Sequence, residues 1–148
     1  MRILFVCLGN ICRSPMAEAL VRHKAALLGI EVEVDSAGTG DWHVGQSADP
    51  HTIATLERYG IAAPSLGRRL RREDFTEFDE ILVMDEQNRR NVLMWPGAIR
   101  AKVRLFDDPN EIADPYYGEP EGFETMYRQL DRATDRLLER LVASGRCD

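Results

Sequence analysis

Apolar residues fall along this chain in two alternating rhythms. Ile3-Leu4-Phe5-Val6 is a short continuous run of branched and aromatic residues, as expected of a strand covered on both faces. From Pro15 to Leu28 the spacing changes to that of a helix, with Ala17, Leu20, Val21 and Leu28 on one broad side and Gly29 as the stop. Residues 30–35 (Ile-Glu-Val-Glu-Val-Asp) alternate cleanly and predict a strand with one exposed face. Asp49-Pro50 opens a second helix, which carries Ile53, Ala54 and Leu56 and stops at Gly60. Ile81-Leu82-Val83-Met84 reads as a buried parallel strand and residues 102–106 as a fourth. A short helix from Glu86 to Leu93 lies between them, and Pro96-Gly97 follows as a breaker. Phe123, Met126, Tyr127, Leu130, Leu137, Leu138 and Leu141 then form the stripe of a long amphipathic helix.

Four strands alternating with helices, with no repeat or linker, predict one doubly wound α/β domain over residues 1–148. Its sheet is expected to be parallel, four-stranded and flanked by helices, with right-handed crossovers. Ligands of such sheets bind at the C-terminal ends of the strands. At the end of the first strand stands Cys7-Leu8-Gly9-Asn10-Ile11-Cys12-Arg13-Ser14.

This stretch is a tight turn from a strand into a helix, for which Ser14 is the expected N-cap and Pro15 the first helical residue. Inward backbone N–H groups and the positive end of the helix dipole make such a turn an anion site. Cys7 opens the turn, where those N–H groups and a nearby guanidinium favour the thiolate. Arg13 can fold back and hold two phosphate oxygens in a bidentate fork. A thiolate beneath a held phosphate is a nucleophile aimed at phosphorus. Gly9 permits close approach of the backbone, and Asn10 tolerates a left-handed conformation. A Cys and an Arg six apart also occur by chance, and a Cys after a strand is often inert filling. The preceding strand and following helix are what give the spacing weight. The Gly-Lys-Ser/Thr ending of a nucleotide-binding Walker loop is missing.

Size and charge narrow the picture. A chain of 148 residues fits one domain, and its net charge of −6 argues against a nucleic-acid binder. For an anionic substrate the positive field must then be local to the loop. No apolar run is long enough for a membrane span, and residues 2–6 read as a core strand rather than a signal peptide. Cys7, Cys12 and Cys147 form neither a disulfide framework nor a zinc spacing, and suit a reducing cytoplasm.

Two further loops carry chemistry. Gly38 to Gly45 follows the second strand and ends near the first loop. Its Trp42 is either a ring exposed for stacking or a core residue, and residue type leaves both open. His43 reads as structural, since nothing in the spacing pairs it with a nucleophile. The long stretch from Asp107 to Gly122 is rich in Asp, Pro, Gly and Tyr, and a loop of that length is usually functional or mobile. Within it Asp114-Pro115 fixes a carboxyl group on a restricted backbone beside Tyr116-Tyr117.

Cys7 to Pro15, Ser36-Ala37-Gly38-Thr39, Trp42-His43, Met84-Asp85 and Asp114-Pro115-Tyr116-Tyr117-Gly118 together resemble the low-molecular-weight protein tyrosine phosphatases, in order and spacing. The resemblance implies a cysteine-dependent phosphatase that hydrolyses phosphotyrosine in proteins, releases inorganic phosphate and needs no metal or cofactor. It implies Cys7 as nucleophile, Arg13 as phosphate clamp and Asp114 as general acid. Leu8, Gly9, Asn10, Ile11, Cys12 and Arg13 would contact substrate, with Trp42 and Tyr116 as cleft walls and Tyr117 nearby. Asn10, Ser14 and Ser36 would support the loop by hydrogen bonds. Cys12, which by spacing alone could equally be core packing, becomes by resemblance a resolving thiol for oxidised Cys7.

The chain departs from that pattern at Pro64-Ser65-Leu66-Gly67-Arg68, where Ser65 stands in place of a histidine that braces the loop's asparagine. Arg68, Arg69, Arg71 and Arg72 read as a solvated face, or else as a guide for anionic substrates. Related arsenate reductases would need cysteines near residues 80–90, which this chain lacks. The arginine phosphatases that share the scaffold resemble one another in a Thr at the position of Ile11, where an apolar Ile suits an aromatic ring better. A phosphocysteine carrier, which passes phosphate on without hydrolysis, would need neither Asp114 nor Arg13.

Overall fold

The computed structural model describes residues 1–115 and 121–144. Its centre is a parallel sheet of β1 (Arg2–Cys7), β2 (Glu33–Gly38), β3 (Glu80–Val83) and β4 (Val103–Leu105) in the order β2-β1-β3-β4. Around it lie α1 (Arg13–Leu28), α2 (Pro50–Arg58), the one-turn α3 (Asp74–Glu77), α4 (Glu86–Leu93) and α5 (Glu121–Ala143). The chain leaves β1 toward β2 on one side and returns to β3 on the other. The C-terminal end of β1 is therefore the point where strand order reverses, the position at which such sheets bind ligands.

Alternation along β1 divides the core in two. Ile3 and Phe5 face the cluster built with Met16, Leu20 and Val21 of α1 and with Met126, Leu130 and Leu137 of α5. Leu4 and Val6 face the opposite cluster, with Phe75 of α3, Ile81 and Val83 of β3 and Val92 of α4. Both faces are covered, as the unbroken apolar run predicts.

The third and fourth strands run 80–83 and 103–105 instead of 81–84 and 102–106, and two further boundaries differ from the sequence expectation in ways that matter for the site. The second strand spans 33–38 rather than 30–35, with Arg2 opposite Glu33 and Cys7 opposite Gly38. Ile30 is occupied by the end of α1: Gly29 is left-handed, its N–H donates to Ala26, and the Ile30 N–H donates to Ala25 at 2.9 Å. In that helix-ending motif the residue after the glycine packs its side chain back, and Ile30 is buried accordingly. The first helix begins at Arg13, with Cys12 and not Ser14 at its N-cap. The Ser14 hydroxyl is bonded within the loop instead, and Pro15 is harmless in a first turn whose N–H groups have no helical partner. By contrast Asp49 caps α2 through the His51 N–H, with Pro50 first in the helix, and α4 spans 86–93 as expected.

Candidate active site

Between β1 and α1 the chain curls through residues 8–12, and its shape is set at Asn10, which has φ 57°. Few residues other than Gly tolerate that region; Asn does because its short amide bonds locally. Here the Asn10 side chain is buried and satisfied on both sides. Its Nδ2 donates to the Ser14 hydroxyl at 2.9 Å, and its Oδ1 accepts the Arg68 N–H at 2.9 Å. Behind the loop Gly38 is required by close approach, since a Cβ there would stand 2.8 Å from the Leu8 carbonyl oxygen. The Thr39 and Gly40 N–H groups bond the Cys7 and Leu8 carbonyls at 3.1 and 2.9 Å. The loop carbonyls are thus held from outside. Among the described residues no loop N–H from Leu8 to Arg13 donates to a protein acceptor.

Cys7 lies at the base, 3.0 Å from the Ser14 hydroxyl. Arg13, only 3% exposed, reaches over from the first turn of α1. Its Nη1 donates to Asp85 at 2.6 Å and to the Ile112 carbonyl at 2.8 Å, while Nη2 stands 3.7 Å from Asp114. Burial alone would lower the pKa of this guanidinium, but Cys7, Asp85 and Asp114 outweigh it and raise the value further. Nη1 is committed to the protein, so the Nε–Nη2 edge is the one a phosphate can take. Asp114 is delivered by a firm anchor two residues earlier, where buried Ile112 donates its N–H to the Met84 carbonyl at 2.8 Å.

These groups enclose a cleft of about 260 Å³ lined by Cys7, Leu8, Gly9, Ile11, Cys12, Arg13, Trp42, His43 and Asp114. Trp42 is an exposed wall, 62% accessible, so the core alternative does not hold. Its ring lies against Gly40, where a Cβ would stand 2.0 Å from a ring carbon. Asn10 turns inward to the scaffold and does not line the cleft. Both Cys7 and Cys12 are buried free thiols. Burial, followed by the charges of Asp49, Asp114 and Cys7, pushes the Cys12 thiol pKa well up. Tyr116, Tyr117 and Cys147 lie outside the described residues.

The structure adds three residues to the expected set. Asp85, at the N-cap of α4, orients Arg13 and accepts the Asn88 N–H at 2.7 Å. His43, read as structural from spacing, lines the cleft. Glu18, fully buried on α1, accepts from Ser36 Oγ at 2.5 Å, Ser65 Oγ at 2.8 Å, the Ser65 N–H at 3.1 Å and Arg22 at 2.6 Å. Ser36 therefore reaches Glu18 rather than Asn10 or Ser14. Ser65, where a histidine was expected, joins the same carboxylate, and the brace on Asn10 comes from the Arg68 backbone. A carboxylate beginning the second turn of a helix carries no sequence signal that separates it from a surface residue. Arg68 also departs from the solvated-face reading: it pairs with Asp35 at 2.9 Å and with fully buried Asp74 at 3.0 Å.

The model of the family described as low molecular weight phosphotyrosine protein phosphatase matches residues 2–146. A low molecular weight phosphotyrosine protein phosphatase of Schizosaccharomyces pombe is 46% identical over 95% of this chain and 97% of its own. Its counterpart in Sus scrofa is 40% identical over 94% of each chain. Among solved structures, a protein tyrosine phosphatase from Entamoeba histolytica superposes with a TM-score of 0.91 at 34% identity, over 98% of this chain and 99% of that one. An arginine phosphatase variant with a phosphorylated active-site serine superposes with a TM-score of 0.89 at 31% identity, over 95% of each chain.

Proposed function

The chain belongs to the low molecular weight phosphotyrosine protein phosphatases, and from that premise we propose that it hydrolyses phosphotyrosine in proteins through a phosphocysteine at Cys7, without a metal. The observation that carries this reading is the convergence of Cys7, Arg13 and Asp114 on one cleft. The phosphate sits over the sulfur, with its outer oxygens on the loop N–H groups and on the Nε–Nη2 edge of Arg13. Cys7 attacks phosphorus in line, and the Ser14 hydroxyl bonds the sulfur from behind. Asp114 in its acid form gives a proton to the leaving phenolate. As carboxylate it then takes one from the water that cleaves the phosphocysteine, releasing inorganic phosphate. The positive charge this chemistry needs comes from Arg13 and the loop, which supports a reaction without metal.

Substrate choice follows from the walls. Ile11 and Leu8 are apolar and Trp42 supplies an exposed ring, so an aryl phosphate fits better than a guanidino phosphate. The arginine phosphatase among the structural relatives makes phosphoarginine the competing substrate to measure. The free thiols of Cys7 and Cys12 favour a reducing, cytoplasmic setting, with residues 1–148 acting as a single domain. Among the described residues no helix is long and apolar enough to cross a membrane. The deciding experiment is hydrolysis of matched phosphotyrosyl, phosphoseryl and phosphoarginyl peptides with a chelator present. Phosphotyrosine is expected to dominate, and a preference for phosphoarginine or a requirement for added metal would overturn the proposal.

A further inference from the structure

The connection between α4 and β4 takes no part in the chemistry above, yet its composition is unlike the rest of the chain. From Gln87 to Phe106 there are five cations, Arg89, Arg90, Arg100, Lys102 and Arg104, and no Asp or Glu, in a protein whose net charge is −6. In its middle, Leu93 to Ile99 (Leu-Met-Trp-Pro-Gly-Ala-Ile) are seven consecutive uncharged residues. Such a run belongs in a core, and only part of it is there. Leu93, Trp95 and Ala98 pack against the cluster that contains Phe75, Val83 and Val92. Met94 is 83% exposed, and Pro96, Gly97 and Ile99 are exposed beside it.

Backbone bonds fix the shape of this apolar tip. The Met94 N–H donates to the Arg90 carbonyl at 3.2 Å, Trp95 to Val92 at 3.0 Å, and Ala98 back to Trp95 at 3.1 Å. Gly97, at φ 85°, makes the turn possible. Arginines of a second segment flank it. The Arg69 guanidinium lies 5.0 Å from the Trp95 ring centroid, and a Cβ on Gly97 would stand 2.8 Å from Cγ of Arg72. Arg90 and Arg100 stand at the two ends of the turn. Among the described residues these four exposed arginines form no ion pair, whereas Arg71 and Arg89 pair with Asp74 and Glu86. Arg69 and Arg90 donate instead to neutral oxygens, of Thr39 and Gln87.

A protruding apolar turn gains by leaving water, and an unneutralised cationic rim gains by meeting anionic oxygens. The interface of an anionic bilayer supplies both without a shaped pocket. Headgroup phosphates meet the guanidiniums while Met94 and Ile99 reach the acyl boundary. An acidic protein segment would satisfy the rim but leave Met94 in water. We propose that the 94–100 turn, ringed by Arg69, Arg72, Arg90 and Arg100, docks the protein peripherally on anionic lipid surfaces. Arg69 ties this surface to the active-site loop, since it donates to the carbonyl of Thr39, whose N–H holds the Cys7 carbonyl. Docking of this kind is independent of which phosphoester is hydrolysed, because it concerns binding and not turnover.

The test is co-sedimentation with vesicles of phosphatidylcholine alone and of equimolar phosphatidylcholine and phosphatidylserine. The wild-type protein is expected to bind only the mixed vesicles, and less as salt is raised. Each arginine near such a surface is worth about fivefold in affinity, so the double change Arg90→Gln, Arg100→Gln is expected to weaken binding by about 25-fold. Met94→Ser keeps every charge and is expected to weaken it by about tenfold. Both variants alter exposed side chains and are expected to unfold at the wild-type temperature. Failure of the wild-type protein to sediment with the mixed vesicles would overturn the inference. So would binding that neither variant weakens, which would place the contact elsewhere on the chain. Weakening by the arginine changes with Met94→Ser equal to wild type, or tighter binding to polyglutamate than to the vesicles, would overturn it in favour of an acidic protein partner.

Discussion

In the proposed mechanism Cys7 and Arg13 would share a phosphate but divide the work, and that division can be measured. If Arg13 and the loop N–H groups bind and only the sulfur attacks, as proposed, Cys7→Ser is expected to abolish turnover while inorganic phosphate still binds in calorimetry. Retained turnover would contradict a covalent route through this residue. Asp114, close to Arg13 yet partly open to solvent, is suited to a proton that moves at the cleft mouth. Asp114→Ala is expected to slow aryl phosphates with poor leaving groups by about 10²–10⁴-fold and activated ones far less. A slope of rate against leaving-group pKa that matches wild type would mean that Asp114 only shapes the cleft. Cys12 lines the same cleft, its thiol held protonated by burial and by nearby carboxylates. After peroxide, wild-type activity is expected to return with dithiol, whereas Cys12→Ser oxidises on to irreversible acids. Equal recovery of the two would reduce Cys12 to packing.

At the scale of elements, the phosphate loop is a surface shared by α1, β2 and the 65–68 segment, and Glu18 is where all three meet. Its carboxylate sits on α1, takes the hydroxyl of Ser36 from β2, and takes both donors of Ser65. Arg68, three residues on, is the donor that holds Asn10. Glu18→Gln keeps the shape but turns one acceptor into a donor that faces other donors. Its expected cost is about 2–3 kcal/mol in thermal or urea unfolding, together with weaker competitive inhibition by phosphate. A loss of stability with phosphate inhibition unchanged would confine Glu18 to the scaffold. Much of this level was legible in the chain, because Asp49-Pro50 and the strand runs are local signals. What was not legible depends on partners distant in sequence. Ser14 looks like a cap until Cys7 and Asn10 claim its hydroxyl, and residues 30–35 look like a strand until Ile30 closes α1. Asp85 and Glu18 acquire roles only when Arg13 of α1 reaches the N-cap of α4 and β2 is brought beside α1.

Across the whole molecule the end of the sheet remote from the cleft is tied by charge. Glu80 on β3 accepts from Arg104 of β4 at 2.6 Å and from Arg140 of α5 at 2.9 Å. Burial raises the pKa of this carboxyl, but the bonds from Arg140 and Arg104 outweigh it and bring it below the ordinary 4.5. A carboxyl group depressed on folding stabilises the native state above its unfolded pKa and stops doing so as pH falls through the folded value. Glu80→Gln is therefore expected to cost about 0.5–1 kcal/mol at neutral pH and nothing well below 4.5. A stability difference that is flat with pH would show that packing, not charge, sets it. The chain has two tryptophans, and the fold gives them opposite surroundings. Trp95 is partly buried beneath the Arg69 guanidinium, 5.0 Å from its ring centroid, whereas Trp42 stands in solvent at the cleft mouth. The enzyme thereby carries its own optical reporter. Trp42, the more exposed of the two, is expected to dominate the red edge of the emission spectrum and to be the fluorophore a docking ligand quenches or shifts, so that occupancy could be followed by light without a label or any turnover.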